Sequence, residues 1–132
     1  MKTILVIDDD FAMRRGIAFL LKREGYEVLE AEDEVRALAL LCGRFIDLSI
    51  VDLFLAGKNG LDLADKIKRS RPHCKLLIVT AYGEHVRAMQ ARELYKEYFL
   101  EKSDIEKVLI KKVHKILDDA FENSETYKSD DR

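Results

Sequence analysis

Five short runs of aliphatic and aromatic residues punctuate the chain: Ile4 to Ile7, Val28-Leu29, Leu48 to Val51, Leu76 to Val79, and Tyr98 to Leu100. Each has the length and content of a β-strand. The stretches between them return an apolar residue every three or four positions, as in Ile17/Leu20/Leu21, Val35/Leu38/Ala39/Cys42 and Leu63/Ala64/Ile67, and this spacing predicts amphipathic helices. The last helix is the most regular. Ile105, Val108, Leu109, Val113, Ile116, Leu117 and Ala120 form one stripe with Lys and Asp opposite it, and Ser103 to Glu106 reads as its capping box. The segment from Glu84 to Glu97 is the weakest helix, with only a partial stripe of Val86, Met89 and Leu94. A helix that buries so little is a candidate for movement or for partner contact.

Strands that alternate with helices imply βαβ units, parallel pairing and helices on both faces of the sheet. The fold class is therefore α/β, a five-stranded parallel doubly wound sheet with five helices. The first, third and fourth runs are nearly continuous in apolar residues, as strands buried on both faces should be. Turn signals fall between elements at Gly25, Gly43, Gly57, Gly60 and Pro72. One domain is expected over residues 1–122. From Asn123 to Arg132 the chain becomes polar and reads as a frayed tail or the start of a linker.

Composition narrows the function classes. A chain of 132 residues with 48% hydrophobic content can build its own core without disulfides or structural metals. Cys42 and Cys74 lie far apart with no CxxC pairing, which fits reduced thiols of a cytoplasmic protein. The 23 basic residues nearly balance the 25 acidic ones, so there is no electrostatic case for nucleic acid binding by this domain. The apolar run before Asp8 is too short for a signal peptide or membrane span.

In open parallel sheets, ligands bind outside the carboxyl ends of the strands. The residues that follow the runs are Asp8-Asp9-Asp10, Asp52, Thr80 and Lys102, so four of the five strands deliver a group suited to phosphate or metal. The second strand, ending near Glu30-Ala31-Glu32, is expected at an edge. Asp8, Asp9 and Asp52 together would repel one another, and a divalent cation resolves the conflict. Carboxylate oxygens suit Mg²⁺, whereas no Cys or His lies near in sequence to favour zinc. Lys102 adds a positive charge and Thr80 a hydroxyl donor, a set suited to phosphoryl transfer. Asp52, at the end of the central strand, is best placed as nucleophile. Asp9, with Asp8 at one remove, would hold the metal, and Asp10 is read as the N-cap of the first helix. His73 and His114 are expected at the surface, and His85 at the start of the fourth helix.

These residues, in this order, resemble the receiver domain of two-component response regulators. The resemblance runs from about Thr3 to Asp119 and rests on Ile4-Leu-Val-Ile-Asp8-Asp9, Ile50-Val-Asp52-Leu, Gly60-Leu-Asp-Leu, Val79-Thr80-Ala81 and Phe99-Leu-Glu-Lys102. It implies a flavodoxin-like sheet of order 2-1-3-4-5 and a signalling switch rather than an enzyme acting on other substrates. Asp52 would accept a phosphoryl group from a phosphohistidine on a sensor histidine kinase or phosphotransfer protein. Asp8, Asp9, Asp52 and the backbone carbonyl of Phe54 would hold Mg²⁺ or Mn²⁺. Thr80, Lys102 and Phe99 match the switch hydroxyl, the phosphate-binding lysine and the inward-turning aromatic. The readout, including a phosphorylation-dependent homodimer, would use the face formed by the fourth helix, fifth strand and fifth helix. Phe54 and Tyr82, each two positions past a site residue, are bulky enough to crowd a water attacking in line, which implies slow dephosphorylation.

The sequence departs from the family pattern at four places. Ser103 stands where Pro usually follows the lysine through a cis peptide, Ala56 where Pro is common, Asn59 where Asp is common, and Tyr95 where Gly often ends the fourth helix. A second reading is a receiver-shaped interaction module that is never phosphorylated, against which the complete acid, hydroxyl and lysine set argues. An aspartate-nucleophile phosphatase would need an acid where Phe54 stands. A dinucleotide or P-loop site would need glycines where Asp8-Asp9-Asp10 stand.

Overall fold

The computed structural model describes the backbone of residues 1–130 and the side chains of residues 1–118. Strands β1 (Thr3–Ile7), β2 (Glu27–Ala31), β3 (Leu48–Asp52), β4 (Lys75–Thr80) and β5 (Phe99–Glu101) alternate with helices α1 (Phe11–Arg23), α2 (Glu34–Gly43), α3 (Gly60–Ser70), α4 (Val86–Tyr95) and α5 (Ile105–Asp130). All strand pairs of the main sheet are parallel, in the order β2-β1-β3-β4-β5, so β2 is an edge strand as expected. The register sets Ile7 beside Val51, Asp52 beside Val79 and Thr80 beside Glu101, which brings the ends of the strands to one edge.

Successive strand residues point to opposite faces, and the core divides accordingly. Leu5, Ile7, Val51 and Ile78 pack with the buried residues of α2, α3 and α4. Ile4, Val6, Ile50 and Val79 pack with Ile17 and Leu21 of α1 and with Leu109, Val113 and Ile116 of α5. Strands β1 and β3 are buried along their whole length. Cys42 is an exposed free thiol, and Cys74 is buried and free, its Sγ 3.3 Å from the buried Ser49 hydroxyl.

Two helix faces differ from their predicted stripes. In α2 the buried residues are Ala37 and Leu41, whereas Val35, Ala39 and Cys42 face solvent. In α4 the buried residues are Ala88 and Ala91, and Val86, Met89 and Leu94 are 65%, 58% and 71% exposed. Both helices approach the sheet through alanine, which a stripe drawn through larger side chains overlooks.

The start of α5 also differs. A 3-10 turn at Lys102–Asp104 leads into the helix, and the Ile105 N–H bonds the Lys102 carbonyl, so backbone takes the place of the predicted Ser103 capping box. At the end of α4 the left-handed residue is Lys96 (φ 50°), one position after Tyr95, and its N–H bonds the Arg92 carbonyl. The α5 backbone continues through the segment predicted as a polar tail. The side chains of that segment and of Ala120 lie outside the described ones.

Candidate functional site at the carboxyl edge of the sheet

The pocket is built from the last residues of the central strands. Asp8 continues β1 by one residue: its N–H bonds the Ala31 carbonyl at 3.1 Å, and its Oδ1 accepts the Asp10 N–H at 2.9 Å. Asp10 then caps α1 by accepting the Met13 N–H at 3.2 Å, the role predicted for it. Asp9 turns outward, and its Oδ2 accepts the Ala56 N–H at 3.1 Å. Ala56 reaches that position in a left-handed conformation, φ 49°.

Asp52 ends β3 and is 4% exposed, with Oδ1 accepting the Phe54 N–H at 3.3 Å. The next residue, Leu53, donates its N–H to the Val79 carbonyl at 2.8 Å, and its own carbonyl accepts the Gly60 N–H at 2.6 Å. Between them a short antiparallel pair, Phe54–Leu55 with Lys58–Asn59, turns through Gly57 at φ 78° and folds the loop back under Asp52. Asn59, where Asp was the usual residue, still caps α3 by accepting the Leu61 N–H at 3.0 Å. Gly60 closes the loop where no side chain fits, because a Cβ there would strike the Asp52 carbonyl oxygen and lie 2.8 Å from Leu53 Cα.

Thr80, at the end of β4, is fully buried, and its Oγ1 accepts the Tyr82 N–H at 3.0 Å. Lys102 arrives from β5 through trans peptides. Its Nζ lies 2.7 Å from Asp8 Oδ2 and 3.4 Å from Asp52 Oδ2. Phe99 is buried, with the Arg92 guanidinium 5.0 Å from its ring centroid. The structure therefore brings Asp8, Asp9, Asp52 and Lys102 into one cluster and sets Thr80 and Phe99 on the adjoining strands.

The charges of this cluster are unequal in their burial. The Asp52 carboxyl is pushed up to about 7, first by burial and then by the neighbouring Asp8 charge; Lys102 and the Phe54 N–H pull against this. Burial alone would lower the Lys102 ammonium, but its bonds to Asp8 and the negative charges around it raise it instead, so the lysine stays charged. Asp8 Oδ2 meets the lysine charge at 2.7 Å and has no other donor among the described residues. One carboxylate oxygen from each of Asp8, Asp9 and Asp52 lies within 4.8 Å of the others. Three carboxylates against one ammonium leave two formal negative charges. The all-oxygen donor set and this excess of negative charge both fit a hard divalent cation.

An aromatic group stands beside Asp52. The Phe54 ring meets Tyr82 edge-on at 5.3 Å and His85 at 4.8 Å, with the Arg87 guanidinium 5.6 Å from its centroid. His85 caps α4, its Nδ1 accepting the Arg87 N–H at 3.0 Å. His73 and His114 are exposed as predicted; His73 stacks on Phe45, and His114 lies 3.6 Å from Glu24.

Sequence reasoning missed Arg14. It is buried on α1, and its guanidinium donates to the Asp8 carbonyl at 2.9 Å and to Glu30 at 3.1 Å. The signal was available as a charge on an otherwise apolar stripe, since Arg14, Ile17, Ala18 and Leu21 share one helix face.

Comparison with known proteins agrees with this arrangement. The sequence model of the response regulator receiver domain matches residues 4–114. The phosphate regulon transcriptional regulatory protein PhoB of Pseudomonas aeruginosa is 33% identical over 118 residues, covering 88% of this chain and 52% of that protein. This chain thus spans about half the length of that relative. Among solved structures, a CheY-like receiver domain protein from Methanospirillum hungatei superposes with a TM-score of 0.81 at 27% identity, covering 93% of this chain and 98% of the other. The response regulator TrrA of Thermotoga maritima, solved in complex with Mg²⁺-BeF, gives 0.74 at 31% identity, covering 89% of this chain and all of the other.

Proposed function

The chain belongs to the response regulator receiver domain family, and from that premise we propose that it is a phosphoacceptor switch with Asp52 as the phosphorylated residue. The observation that carries this reading is the convergence of three carboxylates within 4.8 Å, with Lys102 2.7 and 3.4 Å from two of them. Asp8, Asp9, Asp52 and the Phe54 carbonyl would hold Mg²⁺ or Mn²⁺, which when bound neutralises charge on the phosphoryl oxygens.

The chain's own residues supply the rest. A carboxylate oxygen of Asp52 attacks the phosphorus of a phosphohistidine on a sensor kinase or phosphotransfer protein. The new P–O bond forms as the P–N bond breaks, and the imidazole departs with the bonding electrons. Lys102 exchanges a carboxylate partner for a phosphoryl oxygen. The Thr80 hydroxyl, now accepting from Tyr82, donates to another and so moves the loop between β4 and α4. Phe99, buried on β5, would follow that loop, and the face of α4, β5 and α5 would carry the change to a partner or to a second copy of the chain. Between α1 and α5 a groove of about 690 Å³, lined by Met13, Gly16, Phe19, Leu20 and Lys102, opens beside the pocket. It gives the phosphodonor an apolar seat next to the lysine.

Phe54 and Tyr82, two positions past Asp52 and Thr80, stand edge to face, and a pair of rings so close to the site would slow the loss of phosphate by obstructing in-line water. The test of the function is a mass measurement. Incubation with a small phosphodonor and Mg²⁺ should add one acid-labile phosphoryl group to the wild type and none to Asp52→Asn. Failure to label the wild type would favour a phosphorylation-independent interaction module.

A further inference from the structure

We propose that Arg14 is a positioning residue for the cation-binding carboxylates, acting through the backbone of Asp8 without touching metal or phosphate. The proposal rests on the reading of Asp8, Asp9 and Asp52 as a cation site. Arg14 is 9% exposed, and a guanidinium cannot shed its proton to ease burial, so its charge must be met by partners. Its planar fork meets two of them in different strands. Nη1 donates to the Asp8 carbonyl at 2.9 Å, at the end of β1, and Nε donates to Glu30 Oε1 at 3.1 Å, in edge strand β2. The other Glu30 oxygen lies 3.4 Å from Arg15, and the Phe11 ring covers the guanidinium at 5.4 Å.

The Asp8 N–H is already held by the Ala31 carbonyl. With its carbonyl held by Arg14, Asp8 is fixed on both sides of its Cα. The direction in which the chain leaves toward Asp9 is fixed with it. Asp9 depends on this, because the bond from the Ala56 N–H is the one hydrogen bond its exposed carboxylate makes among the described residues.

Stability alone does not account for an arginine here. Arg14 occupies the buried stripe of α1 with Ile17, Ala18 and Leu21, where a methionine of similar volume would fit, and replacing a buried ion pair by apolar groups is often neutral or stabilising. Nor does charge alone: a fixed positive charge behind a cation site weakens cation binding, so its removal would strengthen it. Positioning predicts the opposite sign.

The experiment is Mg²⁺ binding to unphosphorylated protein by calorimetry, with thermal unfolding in EDTA as the check on folding. Arg14→Met should weaken Mg²⁺ binding by about tenfold, the lower range for loss of an outer partner of a metal ligand. The half-saturating Mg²⁺ for phosphorylation by a small phosphodonor should rise in step, while the rate at saturating Mg²⁺ stays within about twofold because Asp52 and Lys102 are untouched. Arg14→Lys, which keeps the charge but lacks the planar fork that meets both acceptors at once, should lose about threefold. A folded Arg14→Met that binds Mg²⁺ as tightly as the wild type, or more tightly, overturns the proposal. If Arg14→Met does not fold, unchanged binding by Arg14→Lys overturns it. Mg²⁺ binding that depends on Arg14 without any labelling of Asp52 would sink the phosphoacceptor reading and leave this one standing. No Mg²⁺ binding by the wild type would remove the cation site and this proposal together.

Discussion

Replacing Asp52 by Asn should stabilise the metal-free protein at neutral pH, even though it removes the proposed phosphoacceptor. The folded-state carboxyl of Asp52 titrates near 7, raised by burial and by Asp8, whereas an unfolded aspartate titrates near 3.9. Below pH 4 both states hold the proton, and the ionisation costs the native state nothing. Between pH 4 and 7 the unfolded chain releases the proton while the native state keeps it, so the stability of the wild type falls as pH rises. Above pH 7 both are ionised and the loss is complete. Three pKa units at about 1.4 kcal/mol each give a ceiling of about 4 kcal/mol at pH 8, about 2 at pH 5 and under about 1 at pH 4. The asparagine amide can donate to Asp8 in place of the acid proton and can still accept the Phe54 N–H, so the neutral arrangement survives the substitution. Urea unfolding of both proteins in EDTA from pH 4 to 8 measures the difference directly, and titrating groups that do not interact with Asp52 cancel in it. A gap that fails to widen as pH rises, or a variant less stable than the wild type at pH 8, would refute the assignment of a strained carboxylate at this position.

Two further outcomes follow from the loops that frame the pocket. Gly60→Ala places a methyl group against the backbone of Asp52 and Leu53, so it should cost about 2 to 3 kcal/mol in urea unfolding and weaken Mg²⁺ binding as Asp52 shifts; wild-type values for both would show the loop to be more yielding than its packing implies. Small polar replacements of Phe54 and Tyr82 together should shorten the phosphoaspartate lifetime on the order of tenfold by opening the in-line path to water, and an unchanged lifetime in a phosphate-release assay would reject the obstruction.

What could be read from the chain and what could not divide along a physical line. The chemistry was legible because each of its groups directly follows a strand, and strands announce themselves as runs of Ile, Val and Leu. Once Asp8, Asp52, Thr80 and Lys102 end four parallel strands, the sheet register places them together whatever the helices do. The helix faces were less legible because close packing favours small side chains. Ala37, Ala88 and Ala91 are completely buried, while Val35, Val86, Met89 and Leu94, which carried the periodic signal, face water. Loop conformation was the least legible. The left-handed residues include Ala56 and Lys96, neither of which has the Gly or Asn side chain that usually marks such a turn.

The adjacent acids show most clearly what sequence order cannot rank. Asp8 and Asp9 are chemically identical neighbours, but strand alternation carries Asp8 into the pocket, 1% exposed, and leaves Asp9 at the rim. Asp8 is bound on its N–H, its carbonyl, Oδ1 and the lysine side, whereas Asp9 has the single Ala56 N–H. Lys102 in turn divides its ammonium between Asp8 and Asp52, so a turn toward a phosphoryl oxygen, as proposed, would loosen its hold on one of them. A lone buried carboxylate left behind by that movement would be costly. On the proposed function the two events are therefore linked: Lys102 turns to phosphate more readily when another positive charge takes its place beside Asp8. The burial and the Asp8 charge that raise Asp52 toward neutrality in the metal-free protein thus also tie the phosphate role proposed for Lys102 to the proposed cation.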